Sequence, residues 1–130
     1  MQKKKEPWRN IAKDNMKASL SALLILLSSL ASAQALMKFV EDTAAMRKEI
    51  LLHIPIGTNT DSVQKIMERN KFSYEGDYKN EIFLTDKKMD FLFFFHDEGV
   101  IFCMNRWKAA MVYKEGKLSD VVVQFVVICL

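Results

Sequence analysis

Apolar and polar positions follow three patterns along the chain: an uninterrupted apolar run, two stretches with helical spacing, and a C-terminal part with strand-like alternation. In the first helical stretch, directly after the run, apolar residues recur every three or four positions, as on one face of an α-helix. This stripe consists of Leu36, Phe39, Val40, Ala44, Ile50, Leu51 and Ile54. We predict that the helix ends before Pro55, because proline disfavours helical geometry in the preceding residue. Such a stripe is typical of a helix that packs on the core of its own domain.

A second, shorter helix is predicted at about 61–69. Gly57 provides a turn before it, and Thr58-Asn59-Thr60-Asp61 offers several N-cap side chains, among which Thr58 with Asp61 has the spacing of a capping box. Asn70 is the expected C-terminal stop, since asparagine tolerates the left-handed conformation that often follows a helix. The helix takes its apolar face from Val63, Ile66 and Met67.

Aromatic and β-branched residues follow the second helix and predict antiparallel strands. Phe72–Tyr74 and Glu81–Leu84 are short candidate strands. Asp90–His96 is the clearest strand, since it contains four phenylalanines. We predict a turn at Asp97–Gly99, after which Val100–Met104 continues as a strand or as the loop to the next strand.

The last two predicted strands, Trp107–Tyr113 and Leu118–Ile128, flank a turn at Lys114–Lys117 whose glycine favours a tight hairpin. The final strand is apolar on both faces, so it is either covered or, at an exposed edge, a site of association. The predicted fold class is α+β, with two helices packed on one face of a three- to four-stranded antiparallel sheet. We expect one such domain over residues 36–130.

The apolar run has the features of a signal peptide. Leu20–Leu30 is its apolar centre, within the length range of a signal-peptide h-region. Small residues follow at Ala31-Ser32-Ala33 and again at Ala33-Gln34-Ala35. Cleavage is therefore expected at one of two bonds, Ala33–Gln34 or Ala35–Leu36. The alternative is an uncleaved membrane anchor, because the uncharged stretch from Ala18 to Met37 is 20 residues long and barely reaches the length of a membrane span. Either interpretation places residues 1–35 outside the folded domain.

The positive charge of the chain lies in this N-terminal region. The formal net charge is +3, but residues 1–17 contain six basic and two acidic residues, which leaves 13 basic and 14 acidic residues for the rest. The basic flank is therefore explained by membrane targeting under the positive-inside rule, not by an acidic ligand. Met16-Lys17 is also a candidate start of a more compact signal peptide than the one that begins at Met1.

The two cysteines, Cys103 and Cys129, have two open interpretations. In an oxidising compartment they can pair, and closing a loop of this length contributes roughly 3 kcal/mol in the chain-entropy model. Alternatively they are two buried free thiols. Neither cysteine belongs to a C-x-x-C motif, so redox catalysis and zinc binding are not indicated.

The remaining polar residues do not form a pattern for catalysis. The sequence has no P-loop, no H-E-x-x-H and no G-x-S-x-G motif. His96-Asp97-Glu98 has metal-ligand chemistry, but a polar turn after an apolar strand explains it, and His53 is the only other histidine. We expect no enzymatic activity, no cofactor and no metal ion.

Nucleic-acid binding is not expected either. The near-neutral folded part interleaves aromatic and basic residues only at Arg106-Trp107-Lys108, which is too short for a groove that follows a phosphate backbone.

Two stretches resemble the small BamE-like fold, also called SmpA/OmlA-like. One is Pro55-Ile56-Gly57-Thr58 leading into the helix with Val63, and the other is the hairpin Met111–Leu118 followed by Asp120-Val121. The resemblance covers about 20 residues. It implies an exported module without catalysis that binds other proteins at the cell envelope. The lipid-anchor cysteine typical of that family is replaced by Gln34.

Together these observations predict a small exported, non-catalytic protein-binding domain of the bacterial periplasm, whose partner is another envelope protein. The expected contact surface is the open sheet face and its hairpin arm, with Phe91, Phe93, Phe95, Arg106 and Trp107. Three alternatives stay open: a single-pass membrane-anchored accessory subunit of a membrane complex, an inhibitor or immunity-like binder, and a small-ligand binder.

Overall fold

The computed structural model describes residues 35–130. The chain divides into two units, Met1–Ala35 and Leu36–Leu130. The predicted signal peptide or anchor, the cleavage site at Ala33 and Gln34, and the alternative start at Met16 lie outside the described residues. Within residues 35–130, neither helix combines the length and the apolar character that crossing a membrane requires.

Helix α1 spans Thr43–His53 and begins later than the apolar stripe predicts. Asp42 precedes it and accepts hydrogen bonds from the backbone N–H groups of Ala44 and Ala45 at 2.9 and 3.0 Å. This N-cap satisfies donors that the first turn leaves unpaired, and it therefore defines the start of the helix. The helix ends just before Pro55, as predicted, with Ile54 as its C-cap.

Residues 36–42 are not helical, and the buried side chain of Asn70, at the end of the second helix, holds them in place. The backbone N–H of Met37 donates to Asn70 Oδ1 at 2.8 Å, and the Met37 side chain is buried. The apolar residues at 36–40 therefore reach the core from an extended segment, although their spacing also fits a helix.

Helix α2 spans Thr60–Arg69, close to its predicted bounds, and both of its caps are among the residues that the sequence offers for them. The N-cap is Asn59, whose side chain accepts from Ser62 N–H at 2.8 Å, while Thr58 Oγ1 donates to the Pro55 carbonyl. The predicted capping box of Thr58 and Asp61 is thus wrong. Asn70 does end the helix, but with φ −92° it is not left-handed.

Four strands form one antiparallel sheet in the order β1-β2-β3-β4. They span Ser73–Ile82 (β1), Lys88–Val100 (β2), Cys103–Lys114 (β3) and Lys117–Cys129 (β4). The two helices and this sheet confirm the α+β prediction for the described part of the chain. Glu115 and Gly116 both have positive φ, as the two-residue β3–β4 turn of type I′ requires.

Two local predictions about the sheet are wrong. Phe72–Tyr74 and Glu81–Leu84 are not separate short strands, since β1 runs from Ser73 to Ile82 with two irregularities in its pairing. Asp97–Gly99 is not a turn but the end of β2, paired with residues 104–106 of β3. Cross-strand pairing there outweighs the turn preference of glycine and acidic residues.

The helices cover one face of the sheet. Their buried residues share a core with alternate residues of β2, β3 and β4, including Leu92, Phe94, Trp107, Ala109, Met111 and Val121. The opposite face, which we call the open face, has no helix on it among the described residues.

Candidate functional site

The strand register divides the expected contact residues between the two faces. Phe94 pairs with Ala109 on the helix-covered face, so Phe93 and Phe95 point to the open face. Arg106 also lies on the open face. Trp107 lies on the covered face, where it is only 2% exposed. The predicted residues therefore do not form one surface, and Trp107 is not available to a partner.

Trp107 instead anchors the extended N-terminal segment. Its indole Nε1 donates to the carbonyl oxygen of Val40 at 2.7 Å. Its ring lies 5.3 Å from that of Phe39 and 5.0 Å from that of Phe125. A buried tryptophan usually pairs its N–H in this way, and here the bond connects residues 36–42 to the sheet.

His96 lies beside this anchor. Its Nδ1 is 2.9 Å from the Lys71 carbonyl, its Nε2 is 3.2 Å from Glu98 Oε1, and its ring stacks on Phe39 at 3.7 Å. The stacking connects β2 to the segment before α1, and the contact with Lys71 connects β2 to the residues after α2. Within residues 35–130, no group of three His, Cys, Asp or Glu side chains is placed to hold a metal ion.

One half of the open face is closed by the protein's own aromatic rings. Phe91 is buried there together with Ala110 and Val112. Tyr78 stacks on Phe91 at 5.4 Å, and Phe83 contacts Phe93 at 5.3 Å. Phe91 therefore packs within a small second core and leaves little surface for a partner.

The other half of the open face contains an ion pair. Arg106 donates from Nε and a terminal nitrogen to the two carboxylate oxygens of Asp97, at 2.7 and 2.8 Å. Its guanidinium lies 4.8 Å from the centre of the Phe95 ring. The hydrogen bonds from Arg106 hold the pKa of the Asp97 carboxyl below its usual value, against the opposing effect of burial. Phe95 and Arg106 are thus held in one polar and aromatic patch.

Cys103 and Cys129 form a disulfide between the ends of β3 and β4. They are directly paired residues, with their Cα atoms 4.0 Å apart. This short separation identifies a pair that is not hydrogen-bonded to each other, in which side chains lie close together. Of the two states that the sequence left open, the structure has the disulfide.

The disulfide lies beside an exposed apolar surface that we call the apolar tip, made of Ile101, Phe102 and Leu130. Ile101 and Phe102 form the β2–β3 turn and are 83% and 73% exposed, and Leu130 is fully exposed. The N–H of Leu130 donates to the Phe102 carbonyl at 2.9 Å. Sequence reasoning missed this surface, because the predicted turn at 97–99 placed both turn residues inside a strand or loop.

The outer edge of β4 is protected over its first half only. Leu118 exchanges backbone hydrogen bonds with Gly57 and Thr58. Farther along, Arg47 Nε donates to the Val121 carbonyl at 3.0 Å, and Val121 N–H donates to Asp120 Oδ1. Beyond this point no hydrogen bond within residues 35–130 reaches the outward backbone groups of Val123–Val127, which we call the open edge.

Comparison with known proteins returned no match: no family model fits the chain, and no curated protein or solved structure is significantly similar to it. The BamE-like resemblance therefore stays a prediction from the residues that suggested it.

Proposed function

We propose that this chain is a small exported, non-catalytic domain of the bacterial cell envelope that binds another envelope protein through the apolar tip. The observation on which this rests is the disulfide between Cys103 and Cys129, which holds the exposed Phe102 and Leu130 beside each other. Separate observations support the periplasmic compartment and the apolar tip as the contact surface.

The compartment is supported by redox chemistry. Disulfides persist in oxidising compartments such as the bacterial periplasm and are rare in the cytosol. The basic N-terminal region, the apolar run and the small residues before Gln34 have the order of an export signal. The disulfide and this order of residues both favour the periplasmic side of the membrane.

The contact surface is supported by exposure and stiffness. Large apolar residues at a two-residue turn expose surface that gains free energy when a partner covers it. The disulfide and the Leu130 hydrogen bond limit the motion of this turn, so less conformational entropy is lost on binding. Phe95 and Arg106 lie on the open face of the same two strands and supply residue types that are enriched at interfaces.

A non-catalytic role is supported by the use of the polar side chains. Asp97 and Arg106 connect β2 to β3, and the Tyr113 hydroxyl donates to Asp77 Oδ1 at 2.7 Å, which connects β3 to β1. Three side chains with a shifted pKa, those of Asp97, Arg106 and Tyr113, are therefore engaged in hydrogen bonds between strands.

The test is a comparison of Phe102→Gln with the matched control Leu52→Gln. Leu52 is 77% exposed on α1 and does not belong to the tip. The full-length protein and both variants are used to capture partners from the native envelope fraction, and the captured protein is then purified for binding measurements. We expect wild type and Leu52→Gln to bind it equally and Phe102→Gln to bind at least tenfold more weakly. Equal binding by all three proteins, or binding to protein-free lipid vesicles instead, refutes the proposed contact surface.

Membrane extraction distinguishes the two N-terminal alternatives. Carbonate washing of envelope membranes releases a cleaved periplasmic protein and leaves a single-pass anchored subunit in the membrane pellet. Intact-mass analysis of the released or retained protein then gives the N-terminal residue, at Gln34 or Leu36 for the two cleavage sites and upstream of the apolar run for an anchor.

A further inference from the structure

We propose that the open edge of β4, Val123–Val127, pairs in antiparallel fashion with the same segment of a second copy of this chain, so that one continuous sheet runs through two domains. This inference concerns the assembly of the chain with itself and goes beyond the proposed function. It uses different residues from the apolar tip, so either proposal can fail without the other.

The two edges of the sheet differ in how they are protected. The β1 edge contains the charged residues Glu75, Asp77, Lys79 and Glu81 and two irregularities in its pairing. Charges and irregular pairing are the usual devices that prevent an edge strand from adding another strand. Residues 123–127 of β4 contain no charge, no proline and no glycine. The open edge therefore lacks the protection that the same fold gives to its other edge.

The protection of β4 stops at a definite residue. Gly57, Thr58, Arg47 and the side chain of Asp120 occupy the outward backbone groups as far as Val121. The next outward groups belong to alternate residues of the strand. Among residues 35–130, β4 has hydrogen-bond partners on its outer side up to Val121 and none from Val123, so only its second half is open to further pairing.

Two independent contacts identify the outward residues as the odd-numbered ones. The Val121 carbonyl points away from β3, since it accepts the hydrogen bond from Arg47. Cys129, eight residues farther along β4 than Val121, also points its backbone groups away from β3. Its Cα atom is 4.0 Å from that of Cys103, a distance typical of cross-strand residues that are not hydrogen-bonded to each other. Between them, Val123, Phe125 and Val127 therefore direct their N–H and C=O groups outward.

The segment is complementary to itself about Phe125. With Phe125 opposite Phe125 of the partner subunit, Val123 lies opposite Val127 of the partner subunit, and each outward residue exchanges both backbone hydrogen bonds with its counterpart. The two Phe125 rings then form an aromatic cross-strand pair, which is a favourable combination, and Gln124 faces Val126 of the partner subunit. No like charges meet, because the segment contains none. A second copy therefore fits this edge, and the register about Phe125 is the one that pairs all three outward residues of the segment.

The register predicts which introduced cysteines form a disulfide between two chains. In the full-length chain in its native envelope, Phe125→Cys places two thiols directly opposite each other across the two-fold axis. Val123→Cys is the matched control, since two copies of residue 123 lie four residues out of register, which is about 13 Å along the strand and beyond the reach of a disulfide. We expect a reducible dimer from Phe125→Cys on non-reducing gels and a monomer from Val123→Cys.

Every other pattern overturns the inference. Equal dimer formation by both variants indicates random collision, and no dimer from Phe125→Cys indicates an unpaired edge. A reducible product with a different protein shows that another chain occupies the edge.

A second measurement does not depend on replacing Phe125, which packs on Trp107. Val127→Lys puts a charge on each strand at the exposed end of the segment, and Leu52→Lys puts the same charge on α1. The native protein is extracted with a mild detergent and its mass is measured by sedimentation. We expect wild type and Leu52→Lys at twice the mass of one chain and Val127→Lys at the mass of one chain. Equal masses for the two variants refute the pairing.

Discussion

The indole nitrogen of Trp107 donates a hydrogen bond to the backbone carbonyl of Val40 at 2.7 Å, across 67 residues of sequence. The bond ties the extended segment before α1 to the third strand of the sheet. Trp107 is therefore unavailable to a partner, although Arg106, the residue before it in the strand, lies on the open face. The neighbouring side chains point to opposite faces, and only one of those faces is covered by the helices.

Trp107→Phe is expected to destabilise the domain. The substitution keeps an aromatic ring beside Phe39 and Phe125 but removes the donor to Val40, and a lost hydrogen bond of this kind costs about 1–2 kcal/mol. Urea unfolding followed by circular dichroism measures the change, with Leu52→Gln as the surface control. A variant as stable as wild type contradicts the anchoring role of the indole N–H.

Asp97 is expected to make stability fall in acid. Its pKa is lowered by the hydrogen bonds from Arg106, so the ionised form is favoured in the folded state. The resulting contribution is present above the ordinary carboxyl pKa of 3.8 and is lost as the pH falls through the lower pKa of the folded state. Denaturant unfolding between pH 7 and pH 2 measures this loss. Asp97→Asn should show a shallower decline below pH 4, and a decline as steep as that of wild type rules out the assignment.

Tyr113 is expected to ionise well above the pKa of an ordinary tyrosine. Burial and the hydrogen bond to Asp77 raise the pKa of Tyr113 to about 12. Because the protonated form is favoured in the folded state, its contribution to stability is present below pH 10 and is lost as the pH rises toward 12. Absorbance at 295 nm during an alkaline titration measures phenolate formation. Tyr113→Phe should remove the ionisation step near pH 12, and an unchanged titration curve would exclude Tyr113 as its origin.

Removal of the disulfide is expected to cost roughly 3 kcal/mol, since Cys103 and Cys129 close a loop with a sequence separation of 26 residues. Guanidinium unfolding with and without a thiol reductant measures this difference in the wild-type protein. A double variant, Cys103→Ser with Cys129→Ser, is the matched control and should be insensitive to the reductant. If reductant leaves the wild-type transition unchanged as well, the cysteines do not pair in the native protein.

Local chemistry accounts for the parts of the fold that the sequence predicted correctly. The second helix, the phenylalanine-rich strand and the hairpin at Glu115-Gly116 each depend on residues within a few positions of one another. Apolar periodicity and turn preferences act over that range. The end of α1 was predictable for the same reason, because Pro55 acts on its own neighbour.

Predictions failed where distant residues compete with local preferences. Thr58 and Asp61 have capping-box spacing, but the Thr58 backbone bonds to Leu118 and its hydroxyl bonds to Pro55, so Asn59 becomes the cap. Asp97–Gly99 has turn composition, yet Arg106 on the neighbouring strand holds Asp97 in a ladder. In both places a residue of another strand takes part: Leu118 bonds to the Thr58 backbone, and Arg106 bonds to the Asp97 side chain.

By itself, the sequence determined that the domain is α+β, that the positive charge of the chain lies before its apolar run, and that the last strand has two apolar faces. Only the tertiary structure decided which face Trp107 occupies, whether Cys103 meets Cys129, and where the protection of the β4 edge ends. The physical reason is that composition and periodicity act along the chain, whereas burial, disulfide geometry and edge hydrogen bonds depend on strand order and register. A register shift of one residue would reverse the face of every side chain in a strand.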